Sequence, residues 1–362
     1  MKKNLIKYEI IIPLIVFFII SIASIYSASL NISSKSIITK QVLWYLLGFI
    51  LIIISTNKNL KFLTKYAGNI LLFLLLIFGS EVNGSKCWFV IPGIGSFQPS
   101  EFMKLILILF NSHIFEDYEK KHPKSNFKDD FKLFLIIMLV TMIPSVLTFL
   151  EPDTGMVIIY FLISFVMLFI YGIKKSIFIC VFLVVSILAG AFLYFYFNFE
   201  DNFINVFGTS FFYRIDRLLD WSNKSGMQLT NATAAIKAAG LFGFGVGNTP
   251  IYIPEAHTDF IFSIFASNFG LLGASFLIFC ICLFDFGLIY LASKCNNKSH
   301  RYIIIGFITM ILYQQIQNIG MNIGLLPITG ITLPFISYGG SSLISYMIGI
   351  ALVLNYDRDY AN

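Results

Sequence analysis

Phe260–Ala292 reads FIFSIFASNFGLLGASFLIFCICLFDFGLIYLA and carries a single charged residue, Asp285. The hydrocarbon core of a bilayer is crossed by about 20 apolar residues of helix. This stretch is therefore a membrane span with length to spare. It either projects beyond the bilayer or breaks near Gly270 and Gly273. Working outward, further apolar segments suited to spans are Tyr8–Ala28, Gln41–Ser55, Ala67–Gly79, Phe102–Phe115, Leu133–Leu150, Gly155–Tyr171, Ser176–Phe197, Tyr302–Asn318 and Phe335–Leu354. The 362-residue chain is 57% hydrophobic and 12% charged, with a mean hydropathy of +0.83. No soluble domain of this size buries that much apolar surface. The expected fold is all-α, a single polytopic membrane domain over residues 1–362 with about ten transmembrane helices. A large extracytoplasmic loop, 198–258, joins helices 7 and 8. The apolar stretch after MKKNLIK lacks a small-residue cleavage site and reads as a retained first span.

The basic residues orient the chain. Lys2, Lys3, Lys7, Lys58, Lys61, Lys65, Lys120, Lys121, Lys124, Lys128, Lys132, Lys174, Lys175, Lys294, Lys298, Arg301 and Arg358 all fall on one side if there are ten spans. By the positive-inside rule that side is cytoplasmic and holds both termini. An odd number of spans breaks the alternation. The net charge of +6 is thus a topology signal rather than one for nucleic acid. The five cysteines show neither metal spacing nor a disulfide frame and read as packing residues.

The opposite, extracytoplasmic side collects the unusual sequence: SFQPSEFMK, EPDTG, PEAHTDF and PITGITLPFISYGGSS. Ionisable residues at membrane depth are costly and mark candidate sites. Glu101 and Lys104 stand three apart on one helix face and can pair. Glu151 and Asp153 flank Pro152 at the turn between two spans, and Asp259 opens the long span beside His257. Such a cluster suits acid–base work, or a cation or phosphate site, on a lipid-linked substrate. Each residue also has a plainer role open to it. The Glu101–Lys104 pair can lock helices, Asp153 and Asp259 can cap the helices that follow them, and His257 can serve as a structural hydrogen-bonder. SYGGSS can be a close-packing run of small residues, and Asp285 an interhelical hydrogen-bonder. In the long loop, FFYRIDRLLDW is amphipathic and carries Arg214 and Arg217, and Asn231–Ala239 suits a short interfacial helix.

Taken together, Ser96–Leu105, Glu151–Gly155, Gly240–Asn248, Pro254–Phe262 and Asn318–Ser342 resemble the SEDS family (shape, elongation, division and sporulation), in order and over the whole chain. The last segment leans to the RodA branch and PEAHTDF slightly to the FtsW branch. The resemblance implies a ten-helix peptidoglycan glycosyltransferase of the bacterial cytoplasmic membrane. Such an enzyme polymerises lipid II at the outer face, beside a class B penicillin-binding protein that cross-links. It also implies Asp259 as the catalytic carboxylate, Glu101, Lys104 and Asp153 as the polar cavity beside it, and Trp88 just before the QPSE motif. Asp259 is expected to take the acceptor hydroxyl's proton. Lys104, Arg214, Arg217 or a divalent Mg²⁺ or Mn²⁺ ion, none tightly bound, is expected to stabilise the pyrophosphate, with His257 nearby. The chain departs from the pattern at Ser267-Asn268, where the family has an acidic pair, and at Lys86-Cys87, Met227 and Asn231-Ala232. A lipid-precursor flippase and a non-catalytic scaffold for the penicillin-binding protein are the competing readings.

Overall fold

The computed structural model describes residues 2–30, 36–55, 80–82, 85–91, 95–123, 126–151, 153–209, 211–212 and 226–355. Two helices, α1 (Lys2–Ser29) and α2 (Ser36–Ser55), precede a small antiparallel sheet of β1 (Ser80–Val82), β2 (Ser85–Ile91) and β3 (Gly95–Phe97). The chain continues through α3 (Pro99–Lys121), α4 (Phe127–Leu150), α5 (Thr154–Tyr171), α6 (Lys175–Asn198), α7 (Glu200–Phe207) and α8 (Met227–Ala238). It ends in α9 (Ile261–Lys294), α10 (Lys298–Asn322) and α11 (Gly340–Asn355). Seven of these helices are long and apolar enough to cross a membrane, and α11 is a shorter apolar helix. The protein is a multi-pass membrane protein. Nine of the ten expected spans fall on described helices, and Ala67–Gly79 lies outside the described residues.

The fold is all-α as expected; a small sheet adds to it, and one span boundary needs correction. The sheet interrupts an otherwise helical chain: Ser80 pairs with Trp88, and Phe89 with Phe97, in the connection before α3. The last span starts at Gly340 rather than Phe335. Residues 335–339 are apolar enough to read as helix, yet their backbone is claimed by distant side chains. Tyr45 donates to the Phe335 carbonyl, Ser21 to that of Ile336 at 2.8 Å, and Gln41 to that of Ser337 at 3.2 Å. Phe335 takes a left-handed φ of +66°, a conformation that a bulky residue adopts only where its surroundings impose it. Its ring is enclosed by Phe17, Phe284 and Tyr346.

The helices pack antiparallel around α10, which lies against α3, α5 and α9, while α1 covers α9 and α2 covers α11. Some polar side chains inside this bundle pair across helices. Asn111 of α3 donates to Ser164 of α5 at 3.0 Å, and Thr141 of α4 meets the same hydroxyl at 2.6 Å. By contrast α6 buries only Ile177 and Tyr196, and its C-terminal end meets α7 through Phe192, Tyr196 and Phe203.

Of the two forms open to the long span, it takes the break. Gly270 leaves the helix at φ 63°, ψ −162°, and frees backbone groups that the GLFGFGVGN loop takes up. Phe244 N–H donates to Ser267 at 3.0 Å and Gly245 N–H to Asn268 at 2.9 Å, while Leu271 N–H donates back to Gly240 at 2.9 Å. The two backbones touch: a Cβ on Gly243, whose φ is +76°, would stand 2.3 Å from the Asn268 carbonyl oxygen. Ser267-Asn268 thus forms the seat of this loop, and the Asn268 amide also reaches Ser27 of α1 at 2.7 Å. Gly243→Ala is expected to lower stability by about 2 kcal/mol or more, through backbone clash and left-handed strain together. Thermal unfolding in detergent, followed by fluorescence, reads this as an earlier transition.

Candidate active site

The loops at one end of the bundle converge because α3, α5, α9 and α11 all begin there. Three motif loops are in direct contact. Gly155, opening α5, lies so close to the Thr329–Ile331 loop that a Cβ on it would stand 3.0 Å from the Thr329 carbonyl. Gly330 of that loop faces Asp259: a Cβ there would sit 3.7 Å from Asp259 Oδ2. The loop before α9 is tied down by Tyr338 N–H donating to the His257 carbonyl at 2.8 Å, and by Ser337 donating to that of Thr258 at 2.6 Å.

Within this cluster Asp259 is half-buried. Burial raises its pKa from 3.8 to about 7, and the charges of Glu255 and Asp153 add to the rise. The Thr258 hydroxyl opposes the shift. Asp259 does not cap α9; Phe260 holds the N-cap position and no side chain caps it there. Instead Asn322 accepts from Ser263 N–H at 3.0 Å, which leaves the Asp259 carboxyl available. Glu255 is exposed, carries an unusual φ of +52°, and accepts from Thr258 Oγ1 at 3.4 Å. It went unnoticed in the sequence, where nothing marks a strained backbone.

Asp153 does cap its helix, accepting from Met156 N–H at 3.2 Å. Its other oxygen accepts from Gln98 Nε2 at 2.9 Å. Burial is the largest influence on Asp153 and lifts its pKa to about 6, while Glu151 beside it is pushed up to about 8, again mainly by burial. Gln98, the first residue of QPSE, thereby joins α3 to α5, and its N–H donates to Ser341 at 2.9 Å. SYGGSS accordingly does more than pack small residues.

Glu101 and Lys104 form the expected pair at 2.6 Å, with exposures of 3% and 0%. The Lys104 ammonium sits 5.3 Å above the Tyr346 ring, and Tyr346 is held by Gln314 at 2.9 Å and Thr332 at 3.2 Å. Lys104 is fully enclosed, and its ammonium is paired with Glu101 in this arrangement. His257 is half-buried, and burial lowers its pKa, which favours the neutral ring. Trp88 lies on β2. Arg214 and Arg217 lie outside the described residues. Asp285, expected to bond between helices, accepts from Gln315 of α10 at 3.2 Å.

Among the described residues no group of three or more His, Cys, Asp or Glu side chains could by itself hold a metal ion.

A family model described as a cell cycle protein, FtsW/RodA/SpoVE, matches residues 3–362. The chain is 32% identical to the "Probable peptidoglycan glycosyltransferase FtsW" of Coxiella burnetii, over the full length of both. It is 31% identical to the protein of that name from Hydrogenovibrio crunogenus, covering 98% of this chain and 92% of the relative. Among solved structures, the crystal structure of the rod shape determining protein RodA of Thermus thermophilus superposes with a TM-score of 0.70 at 26% identity, covering 98% of this chain and 97% of that one. A chain solved in a study titled "Structural coordination of polymerization and crosslinking by a peptidoglycan synthase complex" superposes with a TM-score of 0.79 at 26% identity, covering 97% of each chain.

Proposed function

We infer that this chain, which belongs to the FtsW/RodA/SpoVE family of cell cycle proteins, is a peptidoglycan glycosyltransferase in which Asp259 is the general base. The observation that carries the assignment is the Asp259 carboxyl itself. It is half-buried, released from helix capping, and set where three motif loops meet. The donor substrate is lipid II, a disaccharide-peptide on a polyprenyl diphosphate. An acceptor sugar hydroxyl attacks the anomeric carbon, Asp259 takes the hydroxyl proton, and the lipid diphosphate leaves.

The diphosphate departs as an anion and needs charge stabilisation rather than a proton. Four helices, α3, α5, α9 and α11, begin at the site, and α3 begins without a side-chain cap. Their aligned dipoles favour an anion there. Arg214 and Arg217 are further candidates for diphosphate contacts. A Mg²⁺ or Mn²⁺ ion on the diphosphate would be held by Asp153 or Glu255 beside Asp259, and would neutralise leaving-group charge.

The site faces the outside of the bacterial cytoplasmic membrane in this reading. Lys120, Lys121, Lys174, Lys294, Lys298 and Arg301 lie at the opposite end of the bundle, and Lys298 there pairs with Glu119. Both termini are then cytoplasmic. A class B penicillin-binding protein is the cross-linking partner proposed, in keeping with the peptidoglycan synthase complex whose chain shares this fold.

A base must be ionised to work. With the Asp259 pKa raised to about 7, the rate of lipid II polymerisation should climb about tenfold between pH 6 and pH 8, with an apparent midpoint near 7. Initial rates with labelled lipid II across that range test this. A flat profile from pH 5 to pH 8 excludes a base with this environment.

A further inference from the structure

Resting on the assignment of Asp259, we propose that Asn318 and Asn322 are positioning residues for the reaction: a clamp of two amides that sets the Asp259 carboxylate by gripping its own backbone. Both are fully buried on α10, four residues apart and so on one face. Neither is open to substrate, and whatever they do for the reaction they do through Asp259.

The two amides are saturated by their bonds. Asn318 Nδ2 donates to the Asp259 carbonyl and to the Ile331 carbonyl, each at 2.8 Å. Asn322 Nδ2 donates to the same Asp259 carbonyl at 2.9 Å and to the Asn318 carbonyl at 2.8 Å. Asn322 Oδ1 accepts from Ser263 N–H at 3.0 Å and from Ser263 Oγ at 2.6 Å. An acceptor toward Ser263 N–H and donors toward two carbonyls fix which way this amide points.

The bridge made by Asn318 is the telling one. It joins the peptide that carries the base to Ile331, next to Gly330, the residue facing Asp259 Oδ2. The backbone below the carboxyl and the wall in front of it are thus held by one side chain. Buried amide-to-carbonyl bonds of this kind are costly to leave unmade. A displacement of about 1 Å at a reacting group can cost about 10²-fold in rate.

Two variants separate positioning from mere support. Asn318→Leu keeps the shape and removes both bridging bonds. Asn322→Asp keeps the acceptor for Ser263, and so the start of α9, while removing the donor to Asp259. Each is purified as the full chain and assayed with labelled lipid II beside wild type and Asp259→Ala, with thermal unfolding measured on the same samples. The expected result is a kcat lowered about 10²-fold per folded molecule, a KM within threefold of wild type, and an acid limb displaced from its wild-type midpoint near pH 7. The inference is overturned if either variant keeps kcat within threefold of wild type. It is overturned equally if activity falls only in step with the folded fraction while the limb stays in place. Asp259→Ala tells the two failures apart. Activity retained there removes the base itself; activity lost there but kept in both asparagine variants removes the clamp alone.

Discussion

Asp259→Ala should abolish glycan polymerisation, lowering the rate by about 10²–10⁴-fold, the range typical of losing a positioned general base. The fold should survive, because the Asp259 side chain carries neither the cap of α9 nor the bonds that join the loops. Those bonds use its carbonyl, which Asn318 and Asn322 hold at 2.8 and 2.9 Å whatever the side chain. Asp259→Asn sharpens the test. A raised carboxyl pKa means that the folded protein keeps a proton the unfolded chain gives up. The native state therefore loses stability as pH rises from 3.8 to about 7, and that loss is complete above this window. The neutral amide escapes it. Asp259→Asn should be inactive and yet unfold at a higher temperature than wild type at pH 8, with the difference vanishing below pH 4. Thermal unfolding at the two pH values and a polymerisation assay on the same samples check all of this.

The second large effect concerns Lys104. Removing it as Lys104→Ala leaves the Glu101 carboxylate, 3% exposed, without its counter-ion. Breaking a buried pair in this way costs about 3–5 kcal/mol. The folded yield in membranes should collapse. Replacing both partners, Glu101→Gln with Lys104→Met, removes the two charges together and should restore folding, since apolar or neutral replacements of a buried pair are often tolerated. Polymerisation then discriminates between the roles open to the pair. A folded double variant without activity makes the pair part of the reaction, through its field on Asp153 and the loops around it. A folded and active double variant reduces it to a lock between helices, and no substrate contact remains for Lys104. Size-exclusion chromatography and polymer yield, measured together, decide this.

Much of this was legible in the chain. Apolar runs separated by basic loops are a strong local signal, and a span longer than a bilayer requires left a projection or a break near Gly270, of which the structure takes the break. The small sheet was not legible: two of its strands have only three residues, too few for a periodic pattern, and β1 meets β2 across a register irregularity. The start of α11 was misplaced because LPFIS is apolar, whereas its conformation is set by Ser21, Gln41 and Tyr45, far away in sequence. At the site, the costly carboxylates of Glu101, Asp153 and Asp259 stood out against their apolar surroundings. Asn318 and Asn322 did not, although both lie in a motif, because a buried amide declares its role only through the carbonyl it reaches. The same holds for Glu255, whose strained backbone is invisible in a list of residues.

The competing readings part at the chemistry. A flippase for the lipid precursor needs a path open to both faces, whereas the motif loops here gather at a single end of the bundle. A scaffold needs no ionisable group at Asp259. The most direct test gives purified protein labelled lipid II with Mg²⁺ or Mn²⁺, with and without its penicillin-binding partner, and resolves the products by length. Glycan chains of many disaccharide units, absent with Asp259→Ala, are the predicted result. Folded wild-type protein that makes no chains in any of these conditions, or an Asp259→Ala variant that makes them as well as wild type, contradicts the account.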